Sequence, residues 1–329
     1  MAGGPSTVEL VVAVANAGGV GSFGFAYHHA DKIRSDLKAA RQLTSGPINA
    51  NFFIFLPIEK PSLQICSAAL QVLSALPGAK DIQIKLPKPP FFPNLSDQLE
   101  ATWQERPEIL TFHFGLPDKS VIAKAHELGI TLGINATQVG EAKAIETSGA
   151  DFIVAQGIEA GGHRGIFEPD GIDEKLSTLD LVRAIKSVIS LPVVAAGGIM
   201  NGRQIKDALD AGAIAVQMGT AFLTCAESGA SAAHRQFLLG EHQRGTELTK
   251  AYSGRPARGI VTEFMQLMRG KTTLPFPIQN SVTSAIRKAA AERNDGEYQS
   301  LWAGTNYILC KDENVVELMQ RLEQELRAA

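Results

Sequence analysis

A cadence constrains this chain more than any single motif. Short apolar, β-like runs occur at GVGSFG (19–24), NANFFIFL (49–56), ILTFHFG (109–115), TLGINA (131–136), FIVAQG (152–157), PVVAAGG (192–198) and AIAVQMGT (213–220). Between them lie amphipathic segments at 30–43, 121–129, 139–149, 179–189 and 203–212. Those segments show apolar residues at helical spacing, and several close on a glycine, the residue best suited to end a helix in a left-handed turn. Strand, helix, strand in this rhythm means parallel βα units. Seven such strands fit an open doubly wound sheet or an eight-stranded barrel short of one strand. Glycine placement favours the barrel, because FHFG, VAQG, VAAGG and VQMGT all fall at carboxyl ends of runs, where barrel loops converge on one site.

The chain has 329 residues, more than the roughly 250 of a bare barrel, and the surplus lies in two places. Residues 57–108 are an insert, with helices expected over 62–76 and 95–105 on either side of the proline-rich KLPKPPFFP (85–93). An insert of that length usually shapes the rim of a site. After Thr220 the pattern turns helical, with helices expected within 227–250, over 275–293 (proline-led) and over 312–328. The expected architecture is a TIM-type (β/α)8 barrel lacking its first strand over 1–224, a small helical subdomain over 225–275, and C-terminal helices over 276–329 packing back on the barrel.

A net charge of −3 with both signs interspersed provides no basic field for nucleic acid or an anionic membrane, so a small molecule is the expected partner. Cys66, Cys225 and Cys310 are dispersed, with no pair at metal or redox spacing. That excludes a disulfide framework and a zinc site and favours a reducing, cytoplasmic setting. The opening residues lack a basic n-region and carry Glu9, and the chain has no uninterrupted apolar run near 18 residues, so neither export nor membrane insertion is expected. No feature of the sequence sets an oligomeric state.

AAGGI (195–199) ends the next-to-last run and QMGT (217–220) ends the last. Loops after the last two strands of a barrel, with a helix N-terminus between them, offer backbone N–H groups to a phosphate, and Thr220 adds a hydroxyl. The bland alternative is two ordinary glycine turns; the pair in this order argues against it. QGIEAGGHRG (156–165) ends the run just before, which places His163 on the same face. A histidine among glycines at that position suits chemistry better than bracing. His113, in FHFG, points to the same mouth, with a simple strand-end role as the alternative. His28, His29, His126, His234 and His242 have no such context and read as surface or structural residues.

Taken together, MAGG at the start, AVANAGGVGSFG, NFFIF, FHFG, QGIEAGGHRG, AAGGI, QMGTAFL and SGRPARGI resemble the nitronate monooxygenases, formerly 2-nitropropane dioxygenases, across nearly the whole chain. The resemblance implies an FMN-dependent barrel that oxidises alkyl nitronates, notably propionate 3-nitronate, with dioxygen. Carried over by motif, Asn51, Gln156, Gly161, Gly162, Gly197, Gly198 and the run Gln217, Met218, Gly219, Thr220 would contact FMN, with Met1, Ala2 and Gly3 beneath the flavin ring. His163 would be the catalytic histidine, and His113 and Arg255 would lie at the substrate. Where the family carries glycine and glutamine after Trp-Ala, this chain has Gly304, Thr305 and Asn306. The chemistry fits the residues as well: a nitronate is already deprotonated, so a histidine need only orient and hold it, or act as base toward a neutral nitroalkane.

Two alternatives stay open. Flavin-dependent enoyl-acyl carrier protein reductases and NAD(P)H:quinone reductases share EAGGH and AAGGI, although FHFG and the lack of a dinucleotide fingerprint argue against them. A non-catalytic barrel is the other. In the resembling enzymes an apolar strand leads into MAGG, whereas this chain opens on it. The expectation is a natural chain with roughly 15–25 further N-terminal residues, enough for one strand and its lead-in, from a mis-called or alternative start. In the structure, a gap is expected between the 19–24 and 213–220 strands.

Overall fold

Seven of the runs fold as one parallel sheet: β1 (Gly21–Gly24), β2 (Ile48–Phe53), β3 (Ile109–His113), β4 (Thr131–Ala136), β5 (Phe152–Gln156), β7 (Val193–Ala196) and β8 (Ala215–Gln217), each hydrogen-bonded to the next. The computed structural model describes residues 1, 3–59, 61–240 and 244–329. Ile134, Ile153, Val193 and their neighbours are buried without alternation, as expected for parallel strands covered on both faces. The register aligns the carboxyl ends: Phe53 pairs with His113, Gln156 with Ala196 and Ala196 with Gln217. One rim therefore collects the glycine-rich loops.

The sheet curls but does not close. β1 and β8 are its edges, and among the described residues no strand pairs with the outer side of either, so the expected gap is present. Ile214, at the β8 edge, is 64% exposed. The fold is a TIM-type barrel with seven of eight strands in place.

The outer layer is α1 (Val8–Asn16), α2 (Ala30–Leu43), α5 (Lys119–Glu127), α6 (Val139–Ser148), α7 (Thr178–Lys186), α8 (Gly202–Asp210) and α13 (Val315–Ala328), with α3 (Leu63–Ser74) and α4 (Leu95–Glu105) in the insert. Side-chain caps start several of them: Ser177 accepts from Asp180 N, and Asn314 with Glu317 forms a reciprocal capping box on α13. The sequence reading did not identify α1, which looked merely apolar, although Thr7 accepts from Leu10 N as its cap. α13 packs against both α8 and α1, and Glu325 accepts from Gly202 N at 2.9 Å. The helical layer thus closes where the sheet does not.

A second hydrophobic core joins the insert to the chain after the barrel. Leu73 and Leu76 from the insert meet Tyr252, Phe264, Leu274 and Ile286. Here α9 (Ala232–Leu239), α10 (Glu263–Leu267), α11 (Ile278–Val282) and α12 (Ser284–Glu292) surround a three-stranded antiparallel sheet of β6 (Gly162–His163), β10 (Ala257–Ile260) and β9 (Thr246–Thr249). The helical expectation for 227–250 is corrected at β9, and the single helix over 275–293 divides at Thr283. TELT and ARGI are too short to display a period; they pair with each other, and ARGI pairs in turn with His163 and Gly162 far upstream.

Candidate active site

Gly161, Gly162 and Gly165 of QGIEAGGHRG each have a physical reason. A Cβ on Gly161 would stand 2.5 Å from the carbonyl carbon of Ala303, so its absence lets the 302–304 segment lie over the loop. Gly162 sits at φ +76°, where side chains are strained. A Cβ on Gly165 would overlap Asn135 Nδ2 and come within 2.7 Å of His113 Cε1. The loop is drawn down onto β3 and β4, and His163 is turned into the barrel mouth.

The backbone under His163 is held from several sides. Its carbonyl accepts from Gln156 Nε2 at 3.0 Å and lies 3.2 Å from His113 Nε2. Gln156 Oε1 accepts from Gly165 N at 2.7 Å. Arg164, ion-paired with Asp173 at 2.8 Å, donates to Gln156 O at 2.5 Å. The imidazole is left out of this network: its Nε2 is buried without a hydrogen-bond partner. Around it stand Phe53, Phe114, Phe276 and Trp302, with ring centroids 5.5 to 5.9 Å away. Burial in this box pushes the His163 pKa down to about 3, helped by the charges of His113, Arg255 and Arg287. Burial likewise takes His113 to about 4. Both are neutral imidazoles at neutral pH.

Arg255 borders the same space. Its guanidinium lies over the Phe114 ring, 3.8 Å from the centroid, donates to Ile166 O, and keeps a buried Nε without a partner. Burial lowers its pKa to about 10, which still leaves it charged. Phe114 sits at φ +80°, strained backbone of the kind that costs about 1–3 kcal/mol and gathers at functional sites. From Arg255 and Phe276 a cleft of about 680 Å³ extends outward past Phe55 and Leu274 to Lys250 and Asp170, which are ion-paired at 2.6 Å.

The second half of the site is made of backbone. Gly197 and Gly198, after β7, lie at φ +125° and +68°. A Cβ on Gly197 would be 2.8 Å from Thr178 Oγ1, and one on Gly198 2.9 Å from Glu159 Cβ. The amides of Gly197, Gly198, Gly219 and Thr220 have no acceptor among the described residues. Thr220 Oγ1 accepts from Gly304 N at 3.0 Å, which leaves its proton free, and Asn306 Nδ2 holds Gly198 O at 2.6 Å. Side-chain-free loops with orphan amides beside a hydroxyl suit a monophosphate, so the residues present fit FMN. Asn306 is a positioning residue that sequence reading left unresolved.

The structure brings most of the other expected residues to this rim. Met1 packs on Gly219, its Sδ 3.5 Å from the position a Cβ there would take. Gly3, at φ +94°, faces open space, and Ala2 lies outside the described residues. Asn51 donates to Thr111 Oγ1 at 2.9 Å inside the barrel. Met218 is half-buried, whereas Gln217 is exposed at the open edge. Gln156 is committed to the His163 loop through both ends of its amide. Of the histidines outside the site, His126 pairs with Asp151 at 3.1 Å, His234 is buried on α9, and His242 lies outside the described residues. Sequence reading missed the box residues Phe53, Phe276 and Trp302, for which NFFIF and the Trp-Ala step were the available signals. Among the described residues no His, Cys, Asp or Glu group could hold a metal ion, and no helix is long and apolar enough to cross a membrane.

Comparison with known proteins bears on this geometry. A family model described as nitronate monooxygenase matches residues 1–325. The nitronate monooxygenase of Paraburkholderia phytofirmans is 40% identical, covering 98% of this chain and 90% of its own, and that of Pseudomonas aeruginosa is 40% identical, covering 98% and 94%. Among solved structures, nitroalkane oxidase from Streptomyces ansochromogenes superposes with a TM-score of 0.93 at 35% identity, covering 100% of this chain and 94% of its own.

Proposed function

This chain belongs to the nitronate monooxygenase family, a family of oxidoreductases, and on that premise we propose that it holds FMN between the 197–198 and 219–220 loops. With it the enzyme oxidises alkyl nitronates of the propionate 3-nitronate type with dioxygen, giving a carbonyl compound and nitrite. The observation that carries the reading is His163, a neutral buried imidazole with an unpartnered Nε2, on the same rim as amides that lack acceptors.

Bound FMN supplies the electron acceptor and the route to dioxygen. The protein supplies position and field. With its proton on Nε2, His163 would donate to a nitronate oxygen and so orient the substrate; with Nε2 unprotonated, it would accept the α-proton of a neutral nitroalkane. His113 acts through the His163 carbonyl as a positioning residue. Arg255 contributes fixed positive charge toward an anion, and the rings of Phe53, Phe114, Phe276 and Trp302 keep water from the reacting carbon. The three cysteines are free, which suits a reducing, cytoplasmic setting.

The test is direct. The purified protein should be yellow, release a flavin of FMN mass on denaturation, and consume oxygen with a nitronate far faster than NADH or NADPH bleaches it anaerobically. Rapid bleaching by NADPH would move the assignment to a reductase. Colourless protein that FMN cannot reconstitute would make it a non-catalytic barrel.

A further inference from the structure

Two more polar side chains stand unanswered beside the aromatic box. Arg287, on α12, donates through Nη2 to the carbonyl and Oδ1 of Asn280 at 2.7 and 2.9 Å, while its Nε is buried with no partner. Tyr27, just after β1, packs edge-on against Phe53 at 5.6 Å, while its hydroxyl is buried with no partner. Phe53 is the ring 5.9 Å from His163. Asn280, which holds Arg287, lies on α11 (Ile278–Val282), just after Phe276, whose ring is 5.5 Å from His163. The Arg287 charge acts on both the Tyr27 phenol and the His163 imidazole. The three groups therefore share one neighbourhood, although they come from three distant segments of the chain.

A guanidinium withdrawn from water normally faces a carboxylate. Arg164 does so, through Asp173. Among the described residues Arg287 faces only the neutral oxygens of Asn280, with no carboxylate to answer its charge. A buried cation and a buried hydroxyl that border the same aromatic box, each with an atom that has no partner among the described residues, are the donor set of a carboxylate site. We propose that Arg287 and Tyr27 together bind a carboxylate carried at the end of the substrate remote from the nitronate carbon. They are then specificity-determining residues that favour carboxylated nitronates over simple alkyl nitronates. The assignment rests on nitronate oxidation at His163, as proposed above. His163 is neutral and does not select for charge, and Arg255, bonded to Ile166 O over the Phe114 face, gives its charge to the nitronate end, as proposed above.

The experiment compares wild type, Arg287→Gln and Tyr27→Phe as flavin-loaded proteins on a matched pair: 3-nitropropionate and 1-nitropropane, and the nitronates made from them. For the carboxylated nitronate, kcat/KM should fall about 30-fold or more in Arg287→Gln and about fivefold in Tyr27→Phe, carried mainly by KM, with the alkyl nitronate changed less than about twofold. Calorimetric titration with 3-nitropropionate should rank the three proteins identically without turnover. If wild type turns over neither nitronate, the oxidation reading fails, and the carboxylate site still stands or falls on the titration. Tyr27→Phe removes a hydroxyl that bonds nothing among the described residues, so its fold is not at stake, and it decides the matter if Arg287→Gln does not fold. Equal losses for both nitronates, or 3-nitropropionate binding unchanged in the variants, would overturn the proposal.

Discussion

His163 Nε2 touches no protein acceptor or donor, so replacing the ring removes chemistry without dismantling a hydrogen bond. His163→Asn should therefore retain flavin through gel filtration while nitronate oxidation, followed by oxygen uptake, drops about 10²-fold. Near-normal turnover would make the histidine a brace. Its pH behaviour follows from the same burial. The working form is neutral and is fully present above a folded pKa of about 3, so the rate with preformed nitronate should stay flat between about pH 6 and 9. An inflection near 6.5 would mean that the ring is solvated in the working enzyme. His113 and His163 stood out in the sequence because His113 ends an apolar run and His163 lies in the glycine-rich loop that follows another, and the carboxyl end of a parallel strand has a known address. Arg287 did not. Within SAIRKAAAER it reads as one charge among several on an exposed helix, and nothing local reveals that Tyr27 and Phe276 will surround it.

Elements were readable in proportion to how many periods they display. α2, α4 and β4 occupy the residues their patterns predicted, because each is capped or bounded locally and shows one burial face or a continuous apolar run. β9 and β10 span four residues each, pair with each other and are too short to display a period, so the helical expectation there had nothing to contradict it. The 197–198 turn, proposed above as a phosphate loop, stood out in the sequence by its glycines alone, and it gives the next prediction. Gly198→Val puts a branched side chain at φ +68°, against Glu159 Cβ at 2.9 Å. FMN retention on dialysis should weaken at least tenfold while the far-ultraviolet circular dichroism of the barrel persists. Retention of flavin at wild-type strength would place the phosphate elsewhere.

Over the whole molecule, burial of uncharged histidines ties stability to acid. His113, His163 and His234 have folded pKa values pushed down to about 4, 3 and 4 by burial, against about 6.5 in the unfolded chain. Below 6.5 the unfolded state binds more protons, so each group costs stability progressively as pH falls from about 6.5 toward 4, on the order of a few kcal/mol per histidine. The melting temperature should decline over that window, and His234→Gln, remote from the site, should blunt the decline. An unchanged slope would show that His234 is hydrated when folded. The barrel, the insert and the helical tail were foreseeable from cadence and length, whereas the second core was not, because it unites segments about 200 residues apart whose apolar faces look independent until packed. The seam between α8 and α1 has a consequence in time. α13 fills it, so the ring of helices is completed by a contact spanning roughly 300 residues, and contacts of that span form late. Until then the flanks of α1 and α8 that receive it and its own Leu318 and Leu322 stand uncovered, and a newly made chain passes through its stickiest stage waiting for residues 315–328 to arrive.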